Sequence, residues 1–290
     1  MNNNNPSRQK SLTRQLEGLW QLLRPANVWI GGLSIGVGAW VTGLLSPFQN
    51  VLLACFSGAL ITGAANTIND FYDIEIDRIN KPARPLPSGK VSPQTAFFWA
   101  IFLFIAGVGT SLLINKTAFW IASTASVLLF FYSYSFKRLP LIGNFTVSLV
   151  AGLAFIYGGV SVGRFKQALI PATFAFLFHF GREILKDIED ISGDRAGRAR
   201  TFPICCGVKA AQMLITFIFF LLISATFLPY LNGEYNLRYF LIVLPGVDLY
   251  LLYVIFAVWR NTEPANLHKI STGLKIDMLV GLASILVGIQ

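Results

Sequence analysis

The chain has 290 residues, of which 54% are hydrophobic and 13% charged, and it carries a formal net charge of +9. A soluble globular chain is about 45–50% apolar and about 25% charged, so too little polar surface remains here to clothe a water-facing body. The same apolar content excludes a disordered chain. What is left is an all-α, polytopic membrane protein with one intramembrane helical domain.

Residues 1–27 are polar and basic and read as an N-terminal cytoplasmic or interfacial segment, with residues 28–290 as the membrane domain. Met1 to Pro6, with four Asn, is expected to be disordered. Leu12, Leu16, Leu19 and Leu23 recur at helical spacing and predict an amphipathic helix on the membrane surface. No small-residue cleavage site follows a short apolar core, which argues against a cleaved signal peptide. Nine apolar stretches follow, near Val28–Leu45, Val51–Asn66, Gln94–Ile114, Ala118–Phe136, Leu141–Val162, Ala168–Leu185, Ala210–Leu231, Tyr239–Trp259 and Gly273–Ile289. About 20 such residues cross a bilayer core, so nine transmembrane helices are expected. Pro171 and Pro245 fall inside two of them, where neighbouring helices can satisfy the freed backbone groups. No strand-like alternation competes, which argues against a lipid-facing barrel.

Nine spans place the N-terminus and the even-numbered loops on one side. That side holds all of the 23 basic residues except Lys116, Arg164, Lys166 and Arg238. Positive residues stay inside, so the N-terminus and these loops face the cytoplasm. The charge thus serves topology and headgroup contact, and nucleic acid is not an expected partner. Cys55, Cys205 and Cys206 show no C-x-x-C spacing, and two histidines, His179 and His268, are too few for an imidazole-built metal site. His179 is expected to be a packed or interfacial residue rather than a catalyst.

The acids carry the chemistry. Asp70, Asp73, Glu75 and Asp77 form one cluster, and Glu183, Asp187, Glu189, Asp190 and Asp194 another; together they are nine of the 14 acids. Asp70-x-x-Asp73-x-x-x-Asp77 repeats as Asp187-x-x-Asp190-x-x-x-Asp194, with Asn66 and Glu183 four residues ahead of each. On a helix these four positions fall within about a 60° arc, while Glu75 and Glu189 point elsewhere. Like charges at i,i+3 and i,i+4 destabilise a helix, and acids near its C-terminal end oppose the macrodipole. Two segments with this cost imply a cation. Carboxylates and an amide carbonyl are the hard oxygens Mg²⁺ takes when it also holds phosphates. Solvated helix-ending loops also gather acids, but chance does not repeat their spacing. Arg84-Pro-Leu-Pro-Ser-Gly89 makes a rigid turn after the first stripe; Tyr134, Lys137 and Arg138 close span 4, and Arg182 and Lys186 interleave with the second stripe. These are the basic residues a diphosphate needs.

Asn69-Asp70-x-x-Asp73-x-x-x-Asp77 followed by Arg84-Pro-Leu-Pro-Ser-Gly89 resembles the first signature of the UbiA superfamily of intramembrane prenyltransferases. Leu23-Arg24-Pro25-x-Asn27, the Tyr134…Lys137-Arg138 segment and the second acid stripe are similar to the same family. Gly181-Arg-Glu-Ile-Leu-Lys-Asp-Ile-Glu-Asp190 with Ala199-Arg-Thr-Phe-Pro203 resembles its ether-lipid-forming members. The resemblance implies a UbiA-like domain over 28–290, nine helices around a central cavity, and a prenyl diphosphate plus a lipid-phosphate acceptor as substrates. It implies Mg²⁺ held by Asn66, Asp70, Asp73, Asp77, Glu183, Asp187, Asp190 and Asp194, with Asp70, Asp73, Asp187 and Asp190 catalytic. Arg24, Asn27, Asn69, Arg84, Tyr134, Lys137, Arg138, Arg182 and Lys186 would bind substrate. The implied reaction moves a geranylgeranyl group to the sn-2 hydroxyl of geranylgeranylglyceryl phosphate. An aromatic acceptor is the alternative, and a cation transporter a remote one. No obligate protein partner is expected beyond membrane lipids. The two stripes are expected to face each other on the cytoplasmic side.

Overall fold

The computed structural model describes residues 6–289, with side chains at the N-terminus from Thr13 onward. Met1 to Asn5, where disorder was expected, lie outside it, and Pro6 already opens a helix. In chain order the helices are α1 Pro6–Leu23, α2 Pro25–Trp40, α3 Phe48–Tyr72, α4 Ile74–Asn80, α5 Pro93–Leu112, α6 Lys116–Tyr134 and α7 Ile142–Ser161. There follow α8 Leu169–Glu189, α9 Ile191–Ala196, α10 Phe202–Cys206, α11 Val208–Leu231, α12 Leu237–Val243, α13 Leu249–Arg260 and α14 Pro264–Gly288. A 3-10 turn fills Phe136–Arg138, and a π turn at Leu244–Asp248 joins α12 to α13.

Every expected apolar stretch falls on a helix, but the count of nine is not reached. Seven helices among the described residues are long and apolar enough to cross a membrane: α3, α5, α6, α7, α11, the α12–α13 run and α14. The second half of the Val28–Leu45 stretch does not stay helical, because the chain turns at Gly43 (φ 68°). This leaves α2 with 16 residues, or about 24 Å, short of the ~30 Å hydrocarbon core. The stretch at α8 fails for another reason: Arg182, Glu183, Lys186, Asp187 and Glu189 crowd its last eight residues.

Two compact units divide the chain, residues 1–33 with 53–134, and residues 34–52 with 135–290. In the first, α1 docks through a face different from the expected Leu stripe. A Cβ on Gly18 would stand 2.5 Å from the Val91 side chain, so its absence lets the helix press onto the turn before α5. Leu22 is then fully buried with Leu86, Val91 and Ala96, and Leu19 packs beside them. Leu16 points outward at 65% exposure, and the expected Leu12 falls outside the described side chains. Ser92 caps α5, accepting from the Thr95 amide at 3.1 Å ahead of Pro93 at the first helical position.

The second unit has the larger core, with Ile184, Leu185, Ile215, Phe219, Leu251, Leu267 and Leu274 almost wholly buried. The Phe219 ring lies directly over Gly181, where any side chain would collide with it. Close approach through a small residue is how membrane helices pack without a hydrophobic drive between them. It seats α8 on α11 two residues before Glu183, the first acid of the second motif.

Candidate active site

In the first unit, α3 carries Asn66, Asn69 and Asp70 on its last two turns and ends at Tyr72. Asp73 does not continue the helix: it takes φ −96°, ψ 5° and serves as the cap of α4, which carries Asp77. This sparsely allowed backbone region is one where active-site residues often sit. Asp70 and Asp77 are each only 4% exposed. Burial of a carboxylate demands a partner, and two arginines from distant stretches supply it. Arg24 closes tightly on Asp70 Oδ1; Arg84 reaches the same oxygen at 3.2 Å and also binds Asp77 Oδ2.

Each arginine is presented by a specific backbone feature. Arg24 stands between α1 and α2 at φ 51°, a left-handed setting that turns the chain between the two helices. Arg84 opens a turn closed by Ser88 N–H to Arg84 C=O (3.0 Å) and Lys90 N–H to Pro85 C=O (3.0 Å), with Gly89 at φ 70°. Asn66 donates to the Leu23 carbonyl at 2.8 Å and accepts from the Asn27 amide at 3.5 Å, so it ties the same junction to α3. Asn69 donates to Asp73 Oδ2 at 3.0 Å. Glu75 points away, exposed and paired with Arg78 at 2.8 Å. Tyr134 packs edge-on against Tyr72, ring centres 5.5 Å apart.

The second unit repeats the backbone device. α8 ends at Glu189, and Asp190 breaks it at φ −94°, ψ 8° before α9 carries Asp194. The single continuous stripe expected in each motif is therefore two helices hinged at its second Asp. Asp77 nonetheless stays on the Asp70 side, since one Arg84 nitrogen reaches both. Like-charge repulsion along a straight helix favours a break there. The last acids fall on short helices, and the second break comes at Asp190.

The partners differ. Glu183, 8% exposed, is paired with Arg182 (3.2 Å) and Lys186 (3.0 Å) on its own helix. Asp187 Oδ2 accepts from the side-chain amide of Asn144 at 2.8 Å. Asn144, on the first turn of α7, was not singled out in the sequence. Its signal was a lone amide at the entry of an apolar span. Gly143 beside it is pressed against the Lys137 backbone, a Cβ there standing 2.8 Å from Lys137 Cα. The Arg200 amide donates to the Arg138 carbonyl at 2.8 Å. The Lys137–Arg138 turn, Asn144, Asp187 and the segment after α9 are thereby gathered together. Glu189 leaves the stripe and pairs with His268 at 2.9 Å. His179, one turn before Glu183, has a buried Nδ1 without a hydrogen-bond partner among the described residues.

Among the described residues no three His, Cys, Asp or Glu side chains converge as a closed metal cage. Mg²⁺ that arrives with substrate phosphates needs no such cage, because one or two carboxylates suffice and phosphate oxygens and water complete its shell. The oxygen donors Asn66, Asp70 and Asp73 of the first unit, and Asp187 of the second, are each of the kind that mode uses.

The residues 30–273 match the UbiA prenyltransferase family, and the chain belongs to that family. It is a multi-pass membrane protein, an enzyme of the prenyl-transferring class. Among its relatives is the digeranylgeranylglyceryl phosphate synthase of Thermococcus gammatolerans, 35% identical over 94% of this chain and 98% of the relative. The synthase of the same name from Methanopyrus kandleri is 37% identical over 92% of this chain and 97% of that one. A solved structure reported for digeranylgeranylglyceryl phosphate synthase in membranes superposes with a TM-score of 0.79 at 31% identity, covering 94% of this chain and 98% of that one. The fold also matches a UbiA homolog from Archaeoglobus fulgidus bound to DMAPP and Mg²⁺, with TM-score 0.70, 23% identity, and coverage of 92% and 98%.

Proposed function

We propose that this chain transfers a geranylgeranyl group from geranylgeranyl diphosphate to the sn-2 hydroxyl of geranylgeranylglyceryl phosphate, forming an ether and releasing diphosphate. The observation that carries this reading is the full-length similarity to synthases of that name, at 35–37% identity. The twin acid motifs with twin backbone breaks support it. Asn66, Asp70, Asp73, Asp77, Glu183, Asp187, Asp190 and Asp194 hold the Mg²⁺ that travels with the diphosphate. Bound there, Mg²⁺ neutralises charge that grows on the leaving diphosphate.

The chain's own residues do the rest. Arg84 and Lys137 add fixed positive charge at the diphosphate, a preorganised stabilisation that water would have to reorganise to provide. The allylic C–O bond breaks with its electron pair going to the diphosphate, the apolar and aromatic walls exclude water from the allylic cation, and the sn-2 oxygen bonds to that carbon while its proton passes to the released diphosphate. Arg24 or Arg182 takes the acceptor's phosphate. Asn27, Asn69, Tyr134, Arg138 and Lys186 position the substrates. We further propose that α2 and α8 cross the bilayer with the seven other spans, placing the N-terminus and both acid motifs on the cytoplasmic side.

The test is turnover of purified protein with geranylgeranyl diphosphate and Mg²⁺ against lipid-phosphate and aromatic acceptors, read by mass spectrometry. An ether product on the lipid phosphate, abolished by EDTA and restored by Mg²⁺, is expected. Turnover of an aromatic acceptor alone overturns the reading.

A further inference from the structure

The helix ahead of the first acid motif has two apolar faces, and the first unit covers one of them. The covered face, Gly18, Leu19 and Leu22 of α1, lies on a satellite core whose buried members are Leu22, Leu86, Val91 and Ala96. At 100° per residue, Leu16 and Trp20 both stand about 160° round the helix from Gly18. They are 65% and 61% exposed. A helix resting on so few buried contacts is weakly held from that side alone.

The seating of α1 matters because both arginines of the motif hang on it. Arg24 follows α1 directly, and its amide donates to the Gln21 carbonyl at 3.1 Å. The Gln21 side chain accepts from Lys90 at 3.2 Å, in the turn that Arg84 opens. Leu22 packs on Leu86 and Val91 of that same turn. A shift of α1 therefore moves Arg24 and the Arg84 turn together. With them move the two cations that neutralise the buried Asp70.

The chemistry of the outer face selects what covers it. Arg24 alone separates α1 from α2, so α1 stays at the level where α2 begins. Trp29, in the second turn of α2, is 72% exposed, so exposed indoles lie on both sides of the bend. Tryptophan gathers where headgroups meet acyl chains. The α1 sequence sets Arg8, Lys10 and Arg14 against one acid, Glu17, the charge balance of a helix lying on anionic headgroups. A second copy pairing this face with itself would bring those cations together instead.

We propose that Leu16 and Trp20 bed into the headgroup–acyl boundary of the bilayer, and that this contact seats Arg24 and Arg84 on the first acid motif. The lipid surface is thereby a structural partner of the site. The test uses the full chain in phospholipid vesicles. Subtracting the emission of Trp20→Phe from that of wild type leaves the Trp20 signal. Lipids brominated just below the headgroup should quench it, and aqueous acrylamide should not. Leu16→Ser combined with Trp20→Ser should lower turnover about tenfold. It should also speed amide exchange at least about tenfold across residues 14–22 and 88–91, with exchange in α7 unchanged. Trp20→Phe alone, which keeps the face apolar, should hold turnover within about twofold. Quenching and exchange do not depend on which acceptor the enzyme uses, so they decide the matter even if the assigned reaction fails. Quenching also decides it if the double variant does not fold. A Trp20 signal quenched by acrylamide and not by bromine overturns the proposal. So does a folded double variant with wild-type exchange at residues 88–91 or with wild-type turnover. A wild-type dimer that the double variant splits overturns it too, because a second copy then covers the face.

Discussion

In the first motif Asp70 is neutralised by Arg24, 46 residues before it, and by Arg84, 14 residues after it. In the second, Glu183 finds Arg182 and Lys186 beside it on the same helix, and Asp187 receives an uncharged amide from Asn144. Spacing and backbone break are shared, while the source of compensation is not. The first motif is held by tertiary structure, the second largely by its own sequence. A helix-local pair survives small shifts of neighbouring helices. A cation borrowed from a distant junction reports on whether that junction has formed.

The comparison can be broken outright by mutation of the shared positions. Asp70→Ala and Asp187→Ala should each lower kcat/KM at least about 100-fold, or about 2.7 kcal/mol of transition-state stabilisation. Glu75→Ala, which removes an exposed acid already paired with Arg78, should stay within about twofold. Equal losses at Asp70 and Glu75, in variants with wild-type size-exclusion profiles, would end the idea of a functional stripe. Glu189 is a poorer control than its position suggests, since His268 holds it.

The difference in compensation is sharpened by the arginines. Arg84→Gln strips Asp77 of its guanidinium while Asp70 keeps Arg24. Loss of one partner of a buried pair costs about 3–5 kcal/mol, and the 24% exposure of the Arg84 side chain reduces this to about 2 kcal/mol. Arg182→Gln leaves Lys186 on Glu183 and should cost less than about 1 kcal/mol. Chemical unfolding of the two variants side by side reads the contrast, and a larger loss at Arg182 would reverse it.

Asn144→Leu removes one hydrogen bond to a charged oxygen, worth about 1.5–3 kcal/mol. About a tenfold rise in the Mg²⁺ concentration needed for half-maximal turnover is expected, with little change at saturating Mg²⁺. An unchanged Mg²⁺ titration would show that Asn144 packs without positioning Asp187. The smallest effect belongs to His268→Ala, which should alter turnover less than about twofold, because exposed pairs contribute little.

The motifs were legible because acids repeated at helical spacing have few explanations in an apolar chain. The break within each was not, because a helical wheel assumes an unbroken helix, and nothing in Asp73 or Asp190 announces a change of ψ. Asn144 escaped because a single amide carries no period. Asp248 and Asp277, buried in mid-span, escaped for the same reason: each stands alone in an apolar run. The Leu stripe of α1 was read from spacing alone. Its docking face was decided by Gly18, whose role is visible only once Val91 lies against it. Helix positions were readable throughout; the length of α2 was not, since the turn at Gly43 cuts a run that composition alone would continue.

The left-handed backbone at Arg24 makes that position answer to two demands at once. A side chain there costs about 1–2 kcal/mol of folding stability relative to glycine, yet the guanidinium is what reaches Asp70. Glycine at residue 24 would relieve that backbone cost but leave the buried Asp70 with Arg84 alone, a loss of the same size or larger. A single residue thus sets the bend of the chain and the charge balance of the motif, and neither can be tuned without the other.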